Sequence, residues 1–167
     1  MNIRRILAPT DFSEISDRGV RYAADFARSL GAELILFHAV EPILMAADLL
    51  GTVAVAQALD QMERAVRDNL SRSVGRLKKR GIRCRAVLAN GNAAASIVDA
   101  AAKARADLVV MSTHGRSGVS HLFLGSVAER VVRIAGCPVL TMPSRQSPTR
   151  AKKGSQILTK KRASGRA

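Results

Sequence analysis

Ala106-Asp107-Leu108-Val109-Val110-Met111-Ser112-Thr113-His114-Gly115, followed after nine residues by Gly125-Ser126-Val127-Ala128-Glu129-Arg130-Val131, combines a strand, a loop and a helix start. Leu108 to Met111 is an unbroken apolar run, as expected of a strand covered on both faces. A helix is predicted from about Ser126 to Ala135, with Gly136 closing it. Val139 to Met142 reads as a last strand, and Pro138 stands at its start, where a missing N–H does least harm.

The same alternation extends upstream. Ile3 and Arg5 to Ala8 form a short apolar run that ends at Pro9-Thr10-Asp11-Phe12-Ser13. Ser13 or Asp11 can cap the helix that follows, in which Val20, Ala23, Ala24, Ala27 and Leu30 recur at helical spacing up to Gly31. Leu34 to Val40 is a second strand. A long helix is predicted over Val53 to Lys79, and Gly81 ends it. Ile82 to Leu88 alternates apolar residues with Arg83 and Arg85, which suits a strand near a sheet edge. Asn90-Gly91-Asn92 then turns the chain, and Asn92 can cap a helix from Ala93 to about Ala104. Strand and helix alternate throughout. The expected fold is therefore α/β, a single open parallel five-stranded sheet with helices on both faces. In such sheets ligands sit outside the carboxyl ends of strands, where the strand order switches.

Charge divides the 167 residues into two parts. Residues 1–143 hold 19 Lys and Arg against all 13 acids, a net of +6, whereas residues 144–167 hold eight cations and no acid. This tail has only Ile157 and Leu158 as large apolar residues, too little to offset the entropy of ordering. The expected organisation is a folded domain over 1–143 and a disordered basic tail over 144–167. Aromatics make up 3% of the chain, which disfavours a base-stacking surface for single strands. Cys84 and Cys137 lie in separate predicted strands without metal-ligand spacing, and are expected to be buried free thiols. The N-terminus enters a strand directly, without a signal-type apolar region, and Asp48, Gly51, Thr52 and Gln57 interrupt the most apolar later stretch. These features lead to the expectation of a cytoplasmic protein with no membrane span.

The chemistry concentrates in the loops after strands. A glycine at 115 lets the backbone approach a phosphate without a Cβ in the way. Gly125-Ser126 opens a helix whose first N–H groups and dipole favour an anion, and the Ser126 hydroxyl can donate to the same group. An ordinary strand-to-helix loop remains the alternative. No G-x4-GK-[ST] loop, G-x-G-x-x-G after the first strand or nucleophile elbow is present.

Several segments together resemble the universal stress protein family. They are Ile6-Leu7-Ala8-Pro9-Thr10-Asp11-Phe12-Ser13, Gly31-Ala32-Glu33-Leu34, Ala106 to Met111, His114 to Gly118, Leu124 to Val131 and Cys137-Pro138-Val139-Leu140, in that order. The likeness spans residues 3–143 and implies an adenine nucleotide alpha hydrolase-like, Rossmann-like domain that binds ATP, with or without Mg2+. The ATP-binding pattern G-x2-G-x9-G-[ST] is met at Gly115 and Gly125-Ser126, with Ser112 in place of the first glycine. The resemblance assigns Pro9, Thr10 and Asp11 to the ribose and adenine region, Val40 to packing on adenine, and Ser112 to the ribose. It places Gly115, Arg116, Gly125, Ser126 and Val127 around the phosphates. Asp11 as a helix cap, Val40 as core and Arg116 as a solvated side chain are the structural alternatives. His114 has no evident orienting carboxylate, so a hydrogen-bonding role is preferred over that of a base, and no catalytic or metal-ligating residue is assigned. The resemblance also implies a homodimer through the last strand. The expected function is an adenine-nucleotide-binding stress-response module with little or no turnover. The alternatives are a slow ATPase, or a dimeric scaffold that does not use ATP and whose basic tail contacts nucleic acid or another anionic surface.

Overall fold

The computed structural model describes residues 2–41, 52–113 and 125–143. The expectations for the tail, for His114, Gly115 and Arg116, and for 42–51 lie outside these residues. The described chain runs β1 (Arg5–Pro9), α1 (Glu14–Leu30), β2 (Glu33–Val40), α2 (Thr52–Lys79), β3 (Cys84–Asn90), α3 (Ala93–Lys103), β4 (Leu108–Ser112), α4 (Ser126–Ile134) and β5 (Val139–Met142). All pairings are parallel, in the order β3-β2-β1-β4-β5.

Strand alternation sorts the core into two layers. Ile6, Ala8, Leu34, Leu36, Val40, Leu108 and Val110 face α1 and α2, meeting Val20, Ala23, Ala27, Val66 and Leu70. Leu7, Ile35, Phe37, Val109 and Met111 face α3 and α4, meeting Ala94, Ile97, Ala101, Ala128 and Val131. Small side chains on the helices let them lie close to the sheet. At Gly19 the approach is closest: a Cβ there would stand 3.2 Å from the Ser112 amide nitrogen and 3.8 Å from its Cβ.

The central pairing is short. β1 pairs with β2 over Arg5–Pro9, and β4 with β5 over Val109–Ser112, but β1 and β4 are paired only at Ile6–Leu108 and Leu7–Val109. Beyond those positions the two strands part, which opens a crevice at their carboxyl ends. At the other end Asp107 holds them together. Its carboxylate accepts the Arg4 and Arg5 amides at 2.8 and 2.9 Å, and these bonds hold its pKa below the usual carboxylate value.

Helix ends explain the boundaries. Gly81 (φ 76) donates to the Lys78 carbonyl and Ile82 to that of Leu77, so Ile82 belongs to the closing motif of α2 and buries itself there. The third strand therefore begins at Cys84, two residues later than its alternation suggests, and it does lie at a sheet edge. α1 ends in the same way at Gly31 (φ 62). Cys84 is buried and Cys137 only partly so; both are free, and burial pushes both thiols up.

α3 ends with the same bonds, Arg105 N–H to Ala102 and Ala106 N–H to Ala101, but with an arginine at φ 49. A left-handed L-residue costs about 1–2 kcal/mol. Arg105→Gly should raise the unfolding free energy by about 0.5–1 kcal/mol, read as a higher urea midpoint; an unchanged or lower midpoint contradicts this account.

Candidate functional site

The loop after β1 is fixed by its own short side chains. Ser13 caps α1, its hydroxyl accepting the Ser16 amide at 3.1 Å. Asp11 accepts the Ser13 amide at 3.0 Å, so the carboxylate shapes the turn and leaves the capping to Ser13. The Ser16 hydroxyl donates to the Ser13 carbonyl at 3.0 Å. Its lone pairs then receive the Thr10 hydroxyl at 3.1 Å and the Asp11 amide at 3.3 Å. Thr10 Oγ1 in turn accepts the Phe12 amide at 3.0 Å, holding Phe12 at φ 62.

β2 supports this loop from beside it. The Thr10 amide donates to the Phe37 carbonyl at 2.8 Å. The buried His38 donates from Nδ1 to the Thr10 carbonyl at 2.6 Å, an assignment that follows because a carbonyl only accepts. The Phe12 ring stacks on the imidazole with centroids 4.7 Å apart. A loop tied at Thr10 on three sides presents Pro9, Thr10 and Asp11 to the crevice as a rigid wall.

The crevice holds a cavity of about 360 Å³, within the common range for small-ligand sites, roughly 300–1,000 Å³. Pro9, Thr10, Asp11 and Ser16 form one wall, and Met111, Ser112 and Thr113 form the wall at the end of β4. Phe37, His38, Ala39 and Glu41 come from β2 and its end. Ala93 and Ile97 of α3, and Gly125 with Ser126, Val127 and Ala128 of α4, complete it.

Two helix N-termini thus border one cavity, and they differ. α3 is capped: Asn92 Oδ1 accepts the Ala95 amide at 3.2 Å, and Glu41 Oε1 accepts the Ala93 amide at 2.8 Å. α4 has no side-chain cap. The Gly125 amide is used by the Thr113 carbonyl at 2.7 Å, and intrahelical bonding begins with Glu129 N–H to the Gly125 carbonyl. Between them, the amides of Ser126, Val127 and Ala128 have no acceptor among the described residues. These three residues line the cavity, so the arrangement can accept an anion there by backbone hydrogen bonds and the helix dipole.

Of the residues assigned from sequence, Pro9, Thr10, Asp11, Ser112, Gly125, Ser126 and Val127 come together at this cavity. Val40 does not. It is 4% exposed on the opposite face of the sheet, packed toward α1 and α2. Strand parity gives the reason: Phe37 and Ala39 face the α3 side, and both line the cavity. Gly115 and Arg116 lie outside the described residues. The assignment also lacked Ser16, His38, Glu41, Ala93 and Ile97. The face taken by Ala39 depends on how β2 sits against its neighbours, and the reach of Glu41 to Ala93 joins positions 52 residues apart, so neither is readable along the chain. Among the described residues no cluster of three or more His, Cys, Asp or Glu could hold a metal ion.

Fold and cavity define a parallel α/β domain with a cavity at the switch in strand order, bordered by the first turn of α4. Residues 2–143 match the universal stress protein family, and the chain belongs to it. A universal stress protein encoded in the QAH/OAS sulfhydrylase 3' region of Thermus aquaticus is 37% identical over 140 residues, covering 82% of this chain and 96% of that one. The solved structure of MJ0577 from Methanocaldococcus jannaschii superimposes with a TM-score of 0.77 at 22% identity, over 88% of this chain and 99% of the other. A universal stress protein crystallised in complex with cAMP has a TM-score of 0.61 and 25% identity, over 87% and 100% of the two chains.

The Ser16 hydroxyl serves three groups of the β1 loop while 4% exposed as a residue. Ser16→Ala strands the Thr10 hydroxyl and the Asp11 amide, and should lower the unfolding free energy by about 1–3 kcal/mol. A chemical-denaturation midpoint equal to that of the native chain would show that the network contributes nothing.

Proposed function

We propose that the protein is an adenine-nucleotide-binding module of the stress response, acting in the cytoplasm and binding ATP, with or without Mg2+, with little turnover. The observation that carries this reading is the first turn of α4, which has no side-chain cap and three amides without an acceptor among the described residues, in a cavity whose other helix N-terminus is already filled by Glu41. The phosphates belong at α4, with Gly115 and Arg116 completing their cradle. The ribose and base belong along Pro9, Thr10, Asp11, Ser112 and Ala39. A relative of the same fold complexed with cAMP supports an adenine nucleotide as the ligand class. Ser112 is compatible with this placement: its Cβ lies 3.8 Å from the position a Gly19 Cβ would take, so the bare Gly19 backbone leaves room for it. No described helix is long and apolar enough to cross a membrane. In this reading residues 1–143 form the functional domain, and the tail over 144–167 is a separate basic extension that makes weak contacts with polyanions.

ATP should bind in equilibrium dialysis, with ADP release slow on the timescale of the binding measurement. Ser126→Asp places a carboxylate where the phosphates are bound. It should weaken ATP at least about tenfold, about 1.4 kcal/mol, while leaving stability equal or higher, because an acid in the first turn favours the helix. No binding by the native chain at millimolar ATP would overturn the reading.

The same reading includes a homodimer. Among the described strands β5 ends the sheet with one neighbour, and Val132 and Ile134 of the preceding helix are 48% and 46% exposed. Sedimentation equilibrium should give twice the chain mass at tens of micromolar; a monomer there refutes the pairing.

A further inference from the structure

The basic charge of the folded part is not spread over its surface. Residues 64–85 contain nine Lys and Arg and a single acid, Asp68, a net of +8, whereas the remainder of 1–143 holds ten cations and twelve acids. This segment is the second half of α2 and the start of β3, at the edge of the sheet opposite to β5.

One helix shows two kinds of surface. Around its middle Asp60 pairs with Arg64 at 2.7 Å, and Glu63 pairs with Arg67, the i,i+4 pattern of a solvated face. From Asn69 to Arg80 there is no acid at all. Asp25 reaches Arg80 at 3.0 Å and Glu33 reaches Arg85 at 3.1 Å. Arg72, Arg76, Lys78, Lys79 and Arg83 have no carboxylate partner among the described residues. Arg72 and Arg76 are held on the helix surface by Asn69 (2.6 Å) and Ser73 (3.0 Å) of the preceding turn, and Arg83 by the Gly31 carbonyl. All five are exposed.

Two grooves flank the helix. One, about 400 Å³, lies against β3 and is lined by Arg67, Lys78 and Arg85. The other, about 430 Å³, lies toward the Phe12 loop and carries Arg72 and Arg76 opposite Asp17. From Arg67 to Lys79 the helix rises about 18 Å, a length over which a nucleic-acid duplex presents about ten phosphate charges.

We infer that this α2–β3 face is a docking surface for the phosphate backbone of double-stranded nucleic acid, read without base specificity. Single strands are disfavoured because Tyr, Phe and Trp are absent from residues 64–85. A lipid surface is disfavoured because the exposed large apolar side chains among the described residues, Tyr22, Leu30, Met62, Val127, Val132 and Ile134, all lie outside that segment. The inference does not depend on nucleotide binding at the cavity.

The test uses the full chain and a mixed-sequence DNA duplex of about two helical turns, followed by fluorescence polarisation across a salt series. Arg72→Gln, Arg76→Gln and Lys79→Gln combined should weaken binding at least about tenfold at low salt and reduce the slope of log K against log [salt] by about 3. Its melting temperature and ATP binding should remain those of the native chain. Arg72→Lys with Arg76→Lys should bind within about twofold of native, since charge is what the backbone reads. A second full-length variant, with the eight Lys and Arg of residues 144–167 changed to Gln, should retain binding that the α2 substitutions then remove. The inference is overturned if the triple variant binds the duplex as the native chain does, or if the tail variant alone abolishes binding. It is also overturned if phosphatidylserine vesicles hold the native chain while the duplex does not.

Discussion

The central strands β1 and β4 share only two paired positions before they part. This short seam governs the rest of the architecture. The chain winds outward from β1 through β2 to β3, then returns across the sheet to place β4 on the other side of β1. Right-handed crossovers force the connections on the two sides of that seam toward opposite faces. The β1 loop and the end of β4 at Ser112 and Thr113 therefore diverge, and the space between them is the cavity. Asp107 keeps the other end of the seam closed by accepting two amides of β1. Closure at one end and divergence at the other define a wedge.

What lines the wedge is rigid on one side and electrostatically unfinished on the other. The β1 loop uses its own hydroxyls and carboxylate internally, and is further tied to β2 through His38 and the Phe37 carbonyl. Little of its polar capacity goes unused. The first turn of α4 instead offers backbone N–H groups that no described residue takes. A preorganised wall and an unsatisfied helix end are the two elements an anion site needs, since the donors require no rearrangement to receive their ligand.

Much of this was legible in the sequence, for identifiable reasons. Buried parallel strands such as Leu108 to Met111 announce themselves by unbroken apolar runs, and Gly31 and Gly81 mark helix ends because left-handed backbone favours glycine. The site loops follow from topology once the alternation is recognised. Two things were hidden. The face that a residue at the end of β2 presents depends on strand parity relative to its neighbours, and this separates Val40 from Ala39. The supports of the site are also non-local or made by short polar side chains with several available partners: Glu41 on Ala93, Asp107 on Arg4 and Arg5, Ser16 on the β1 loop. Spacing along the chain does not encode such contacts. The charge of residues 64–85 was visible as composition, but its gathering on one helix and one edge strand required the fold.

Glu41 gives the cavity a direction. Its carboxylate already occupies the helix end at Ala93, whereas the first turn of α4 keeps backbone N–H groups that no described residue takes. In the proposed reading a phosphate entering the mouth would be disfavoured near Glu41 and favoured at the first turn of α4. An elongated guest with charge at only one tip would thus be oriented before it makes a close contact, so that the pocket favours one head-to-tail arrangement over its reverse.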